Sequence, residues 1–331
     1  MKIRLKDNSV KEYPEGMSVL DIAKDISPGL ARAAMAAEVN GKTVDLREEL
    51  HEDADLNILT FDGPEGKKAF WHTSSHILAQ AVKKLFPDAR LAIGPAIDNG
   101  FYYDFDVDHP FSTEDLDTIE KEMERIVKED LKLSRFELPR EEAVRYMEEK
   151  GESYKVELIN ELPEDATISF YTQGDFTDLC AGPHIMSTGA VKAFKLLSVA
   201  GAYWRGSEEN KMLQRIYGIS FPKKSQLKEY LDRLEEAKKR DHRKLGKELD
   251  LFSIHEEGPG FPFFHPKGMV VRNELENFWR KEHIRRGYEE IKTPIILNRD
   301  LWVRSGHWDH YKENMYFTKI DEGDYAVKHM N

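Results

Sequence analysis

The chain has 331 residues, with 49 Lys and Arg against 61 Asp and Glu, a formal net charge of -12 and 40% hydrophobic content. That balance argues for packed cores inside a strongly solvated shell, against both disordered and membrane classes, and the length suggests two or three domains. An acidic chain looks like a poor partner for nucleic acid, because phosphate affinity is carried by cations.

No stretch approaches the roughly 18–20 apolar residues of a spanning helix, and the start, MKIRLKDNSVKEY, has no apolar run of a secretory signal. The one cysteine, Cys180, rules out an internal disulfide framework and fits a reducing cytoplasm. In chain order, MKIRL and VKEY flank the turn cluster Asp7-Asn8-Ser9 and predict a hairpin. Ser18 followed by Asp21 predicts an N-cap for a short helix through Ala23 and Ile26, which Pro28-Gly29 would stop. Asn40-Gly41 predicts a second hairpin, and DLNILTF a closing strand. A hairpin, one helix and further strands in about sixty residues form the pattern of a ubiquitin-like β-grasp, with 62–66 (DGPEG) as the linker after it.

From 71 to 222 helix and strand patterns mix, which predicts an α+β domain with a cleft between sheet and helices. Residues 72–86 carry Ile77, Leu78, Ala81, Val82, Leu85 and Phe86 at amphipathic spacing. Ser112 with Asp115 can cap a helix whose stripe is Leu116, Ile119, Met123, Ile126 and Val127, and a helix over 141–150 stops at Gly151. GFYYDF, ISFYT, FKLLSVA and YWRG are strand candidates. Residues 225–245 predict one long helix, with Leu227, Tyr230, Leu231, Leu234 and Ala237 in register.

The segment 203–247 holds 13 basic and 7 acidic residues, net +6, so the remainder stands at -18. The bland reading is a solvated helix face; the sharper one is a strip facing nucleic acid. Beyond it, GPGFPFFHPKG predicts a loop or tight hairpin, 269–286 a helix ended by Gly287, and GYEEIKTPIIL a strand interrupted by Pro294, with a last strand-like run at YAVKHMN.

His72 and His76 are four apart on a predicted helix and share a face. Cys180 and His184 are also four apart, but Gly182-Pro183 between them forbids regular helix and places the pair on a turn. The pairs lie 104 residues apart, so only the fold can bring them together. By type they form a tetrahedral zinc set. They could instead hold and polarise a water without metal, with His as general base. Cys–His nucleophilic catalysis and simple local polar contacts are the remaining alternatives.

HTSSHILAQAVKKLF, GPAIDNGFYYDF, GESYKV, FTDLCAGPH and KLLSVAGAYWRG followed by KMLQRIYG occur in an order that resembles the threonyl-tRNA synthetases, which are class II aminoacyl-tRNA synthetases. The HxxxH and CxxxH pairs are shared with alanyl-tRNA editing domains, and the front module resembles the TGS domain. The resemblance covers essentially the whole chain. It implies an α+β multidomain fold: a TGS β-grasp domain over 1–61, a tRNA editing domain over 62–222, a basic linker helix over 223–247, and over 248–331 the first part of a class II antiparallel-sheet catalytic domain with motif 1, usually a dimer interface. It implies a threonine–tRNA ligase with hydrolytic editing of Ser-tRNA(Thr), located in the cytoplasm.

Carried over by position, the resemblance makes His72, His76, Cys180, His184, Asp178 and Lys155 catalytic and Tyr103 substrate-binding. Histidines and Asp178 would position or deprotonate a water, Lys155 would hold charge near the ester, and Tyr103 would contact the terminal adenosine or aminoacyl group. Lys238, Lys239, Arg240, Arg243 and Lys244 would bind tRNA. The alanyl branch binds zinc with this set; the threonyl resemblance favours a metal-free site. Zinc, ATP and Mg²⁺ belong to the parent enzyme's catalytic domain. The family continues from KHMN into its first zinc-ligating cysteine, Met330 would lie at the rim of the threonine site, and the expectation is a chain that edits without aminoacylating. A free-standing deacylase and a non-catalytic RNA-binding protein are the alternatives.

Overall fold

The computed structural model describes residues 1–310 and 312–328, so the expectation placed on Met330 lies outside the described residues. Two compact units, Met1–Glu236 and Ala237–Asn331, divide the chain.

The first unit opens on a five-stranded sheet in the order Val10–Glu12, Lys2–Leu5, Ala54–Thr60, Ala34–Val39, Lys42–Val44. Lys2–Leu5 and Ala54–Thr60 run parallel, and the other pairs are antiparallel. Both sequence-predicted hairpins form; Asn40 and Gly41 take φ 50° and 80°, the positive values a tight two-residue turn demands. Ser18 caps the helix Val19–Ile26, accepting from the Asp21 N–H. Of its buried residues, Val19, Ile22 and Ala23, the first two pack with Ile3, Ala37 and Leu56. Pro28 ends this helix, but it also begins a second, Pro28–Ala33: Ser27 caps it, and proline at the first helical position forfeits an N–H that had no partner there anyway.

The expected linker at 62–66 is likewise the start of an element. Pro64–Leu85 is one helix, and most of its residues from Ala69 to Val82 are buried. It lies in the unit's largest core with Phe101, Phe105, Leu196, Ile216 and Ile219 of a sheet ordered Ala193–Tyr203, Met212–Phe221, Gly100–Asp106, Arg90–Leu91. Thr113–Glu129 covers the same core with Leu116, Ile119, Met123 and Ile126, and Ser112 and Asp115 close the predicted capping box. A three-stranded antiparallel sheet, Leu133–Glu137, Ser169–Gln173 and Phe176–Leu179, carries the helices Arg140–Glu149 and Ser153–Glu161, packed through Ala143, Met147, Ile159 and Phe170. The YWRG run departs from its expected strand: Ala193–Tyr203 ends there in a turn, with Arg205 at φ 58°.

The long helix expected over 225–245 is two, Lys224–Lys239 and His242–Glu248. Asp241 accepts from the Arg243 N–H and caps the second, which accounts for the break in an otherwise unbroken pattern. Within the second unit, the GPGFPFFHPKG segment, expected as a loop or tight hairpin, supplies part of the loop and the second strand of a hairpin, Phe252–Ile254 against Pro262–Phe264, and its Pro266 opens the helix Pro266–Arg285. A three-stranded antiparallel sheet runs Ile296–Asn298, Gly323–Val327, Phe317–Ile320. Of the predicted GYEEIKTPIIL strand only Ile296 and Leu297 enter a ladder, in the strand Ile296–Asn298, consistent with Pro294 lacking the N–H a ladder needs. Among the described residues, no helix is long and apolar enough to cross a membrane.

Gly66 fixes how the long helix leaves the first sheet. A Cβ there would stand 2.0 Å from the Thr60 carbonyl oxygen, a backbone atom that cannot rotate away. Gly66→Ala should therefore lower the unfolding free energy by about 1–3 kcal/mol; an unchanged denaturant midpoint would show that this close approach is not required.

Candidate active site

The long helix places His72 and His76 one turn apart, and the turn after Phe176–Leu179 brings Cys180 and His184 to them. One donor atom from each of the four lies within 4.8 Å of the others. Cys180 Sγ sits 3.2 Å from His72 Nε2 and 3.2 Å from His184 Nε2. The ring centroids of His72 and His184 are 4.2 Å apart, and those of His76 and His184 4.3 Å. The Cys180 backbone is tied to the neighbouring strand: its N–H donates to the Ser169 carbonyl, and Ser169 Oγ donates back to its own carbonyl at 2.7 Å.

Thr73, one residue after His72, sets the state of His184. Its hydroxyl donates to the Ala69 carbonyl, leaving its oxygen to accept from His184 Nδ1 at 3.0 Å. A ring that donates from Nδ1 keeps Nε2 bare, and Nε2 faces the Cys180 thiol. Nothing in the sequence pattern singles out Thr73, since its spacing to the histidines matches no ligand or acid–base motif.

Behind the histidines lies a second buried group. Asp178 Oδ1 is 2.7 Å from Lys155 Nζ, Asp178 Oδ2 accepts from Tyr103 Oη at 2.5 Å, and Lys155 also donates to Tyr103 Oη at 3.0 Å. All three side chains are buried. Lys155, expected to hold charge near an ester, is committed to Asp178 and Tyr103. Tyr103, expected to contact substrate, has its whole side chain enclosed; a Cβ on Gly94 would stand 2.0 Å from its ring. His76 Nε2 lies 3.7 Å from Asp178 Oδ2, while His76 Nδ1 is buried without a hydrogen-bond partner among the described residues.

The electrostatics follow from this burial. Burial pushes the rings of His72 and His76 down to about 4 and about 3, against the pull of the Asp178 charge. Burial and the two neighbouring imidazoles hold His184 well below the usual range. Burial pushes the Cys180 thiol up to about 12, against the Gly182 N–H that favours its thiolate. Burial alone would raise Asp178, but Lys155 and His76 hold it below the usual carboxylate value. At neutral pH the site thus offers neutral imidazoles, a protonated thiol and a carboxylate. A thiol in that state, shared between two weakly basic rings, is no attacking thiolate, so Cys–His nucleophilic chemistry loses its footing.

The donor set fits zinc in kind, and the two 3.2 Å contacts of Cys180 come near the roughly 3.3–3.6 Å separations that a tetrahedral zinc sets between its nitrogen and sulfur ligands. Four protein donors would also fill the usual shell, leaving no open position for a water. A pocket of about 290 Å³ reaches His72 between Glu65, Lys68, Pro95 and Pro183. A larger cleft, about 690 Å³, lies along Lys128, Lys192, Lys224 and Lys228 and contains none of these histidines.

The basic residues expected to bind tRNA are exposed. Lys238 and Lys239 end the helix Lys224–Lys239, Arg240 follows, and Arg243 and Lys244 lie in His242–Glu248. Arg243 is paired with Asp241 at 2.8 Å and Lys244 with Glu248 at 3.9 Å.

A family model described as the threonyl and alanyl tRNA synthetase second additional domain matches residues 168–217, and one described as the TGS domain matches residues 1–60. The first takes in Asp178, Cys180 and His184; His72, His76, Tyr103 and Lys155 come to them only through the fold. The chain is 71% identical, over all 331 residues, to the threonine–tRNA ligase of Acetivibrio thermocellus, covering 52% of that protein. It is 70% identical over the same span to that of Caldanaerobacter subterraneus subsp. tengcongensis, covering 51%. A crystal structure of the RNA binding domain of threonyl-tRNA synthetase from Cryptosporidium parvum Iowa II is 42% identical over 28% of this chain and 23% of that one, with a TM-score of 0.27. The chain spans about half the length of the curated relatives it matches. With about 70% identity along its entire length and both domain models matched, the chain is similar throughout to about half the length of the threonine–tRNA ligases.

Proposed function

We propose that this chain is the editing part of a threonine–tRNA ligase and that the His72–His76–Cys180–His184 site hydrolyses the ester of mischarged Ser-tRNA(Thr). The observation that carries this reading is His76 Nδ1, a buried and unpartnered base beside two further neutral imidazoles. A water held there gives its proton to His76 as its oxygen attacks the ester carbonyl carbon. Asp178, 3.7 Å away, stabilises the imidazolium that forms. The proton then passes to the departing ribose oxygen, and the ester bond breaks to free serine and a tRNA with an intact terminal hydroxyl. Lys155 and Tyr103 act by holding Asp178 ionised and in place.

The need for such a site is physical. Serine lacks one methyl of threonine, and a contact of that size gives only about 10- to 200-fold discrimination, so a second, hydrolytic pocket supplies the rest. The site works without metal in this reading, because four protein donors close a zinc shell and hydrolysis needs an open place for water. If zinc were bound, His72, His76, Cys180 and His184 would hold it, and it would polarise whatever oxygen reached it. One equivalent of zinc in elemental analysis of the purified chain would overturn the metal-free reading.

The whole protein, in the same proposal, attaches threonine to tRNA(Thr) with ATP and Mg²⁺ in the cytoplasm, its catalytic zinc reading threonine's hydroxyl and amine. Residues 248–331 supply the first part of that class II catalytic domain, for which the antiparallel sheet of the second unit is the support. The helix Pro266–Arg285 leaves Val270, Leu275, Phe278, Trp279 and Ile284 exposed, as a motif 1 dimer interface would. The 223–247 segment, with Lys238, Lys239, Arg240, Arg243 and Lys244, meets the tRNA.

His72→Ala and His76→Ala should each slow hydrolysis of Ser-tRNA(Thr) by about 10²- to 10⁴-fold while tRNA binding persists. Single-turnover deacylation and filter binding measure the two, and variants that deacylate normally would leave a binding module in place of an enzyme. The histidine titrations give a second check. Because the folded chain keeps His72 and His76 neutral down to about 4 and about 3, while the unfolded chain protonates them near 6.5, their contribution to stability is complete above that value. It is lost as pH falls through the window below it. Ring signals followed by NMR should therefore show no proton uptake at these two residues between pH 8 and 5; a midpoint near 6.5 would contradict the burial argument.

A further inference from the structure

The turn bearing Cys180 and His184 is held in place from outside its own segment. That turn carries Gly182 at φ 75° and Pro183, and it has no ladder of its own beyond Cys180. Thr73 Oγ1 accepts the Ile185 N–H at 3.1 Å and the Leu133 N–H donates to the Met186 carbonyl at 3.2 Å, while further backbone groups of the turn are met by two side chains of the N-terminal β-grasp domain. Arg47 Nη2 donates to the carbonyls of Ile185 at 2.9 Å and Met186 at 3.1 Å, and Arg47 Nη1 reaches the His184 carbonyl at 3.5 Å. Asp45 holds that guanidinium at 2.7 Å and accepts the His184 N–H at 3.3 Å. The other Asp45 oxygen accepts from Tyr171 Oη, whose ring packs edge-on against His184 with centroids 4.4 Å apart. Tyr171 in turn fills the space a side chain at Gly182 would need, since a Cβ there would stand 2.2 Å from Tyr171 Oη.

We infer that Asp45 and Arg47 are positioning residues for the hydrolytic site, so that the TGS domain, which has no catalytic grouping of its own, fixes the turn that presents Cys180 and His184. The inference rests on the proposed hydrolytic role only for its functional readout; the mechanical claim stands on the hydrogen bonds. Its physical content is the shape of one group. A guanidinium is a planar fork of five donors and can serve three successive carbonyls while still paired with Asp45. An ammonium in its place keeps the charge beside Asp45 but cannot span the three. A turn released by even about 1 Å matters, because a displacement of that size at a reacting centre can cost about 10²-fold in rate.

The test uses the full chain with Arg47→Lys, which retains the ion pair, and Tyr171→Phe, which keeps the ring on His184 and deletes only the hydroxyl. Arg4→Met, which breaks the exposed Arg4–Asp55 pair of the same domain, is the control. Two readouts are taken: single-turnover hydrolysis of Ser-tRNA(Thr), split into maximal rate and half-saturating concentration, and the alkylation rate of Cys180, the chain's only cysteine, by iodoacetamide. Arg47→Lys should lower the maximal rate at least 10-fold with the half-saturating concentration unchanged, and speed Cys180 alkylation at least 10-fold. Tyr171→Phe should shift both in the same direction by less, and Arg4→Met should move neither. Faster alkylation in a chain whose wild type fails to hydrolyse Ser-tRNA(Thr) would sustain the positioning role and sink the editing reading. Unchanged alkylation and unchanged hydrolysis in both Arg47→Lys and Tyr171→Phe would overturn the inference. Should Arg47→Lys not fold, the Tyr171→Phe result decides alone.

Discussion

A carboxylate with 2% exposure cannot stay ionised without help, and the site is built around the help that Asp178 receives. Lys155 supplies an opposite charge at 2.7 Å, and Tyr103 a hydrogen bond on the other oxygen. These partners come from a helix, Ser153–Glu161, and from a strand, Gly100–Asp106, of a different sheet. Removing one partner would strand a buried charge, a loss of several kcal/mol in general experience. The group therefore locks one helix and two strands of different sheets into one arrangement before any substrate arrives. The same exclusion of water that makes Asp178 costly keeps His72, His76 and His184 neutral. Burial is thus the common cause of a rigid scaffold and of a set of free bases.

Legibility in the sequence followed the range of the forces involved. Asn40-Gly41, the Ser18 cap and the Ser112–Asp115 capping box are local devices, written in four residues or fewer, and they form as read. Pro28 and Pro64 were ambiguous for a definite reason: the property that ends one helix also suits the first position of another. Asp241 breaks the 225–245 pattern by capping, a competition that hydrophobic spacing does not register. Within the site, the HxxxH pair is legible because both rings must share a helix face. Its meeting with Cys180 and His184 was legible only through resemblance. Asp45 and Arg47 left no trace, since a side chain that serves backbone carbonyls imposes no spacing on its targets.

The charge of the chain also reads differently once partners are in view. A count of charges over 203–247 suggests a strip of net +6, yet Lys244 faces Glu248 and Arg215 is held by Asp104 at 2.7 Å, carboxylates that lie outside that count. The strip's field is therefore smaller than its composition, and screening at physiological salt confines it to about 8 Å. Recognition of a tRNA by such a surface would depend steeply on ionic strength and would place the molecule without reading its sequence.

A polyanion close to a histidine favours the protonated ring, which is the wrong state for a base. An ordinary histidine, near 6.5, would lose much of its free-base population when an RNA end drew near. Rings held at about 4 and about 3 have a margin of two or more units before that happens. On the proposed reading, the depressed values that make these residues weak bases in isolation would keep them available as a negative substrate approached. In the proposed reaction the lost basicity would be offset by position, since a water held against His76 Nδ1 would need no encounter. Deep burial would in this sense be, on the proposed reading, the condition for acting on an RNA ester at neutral pH.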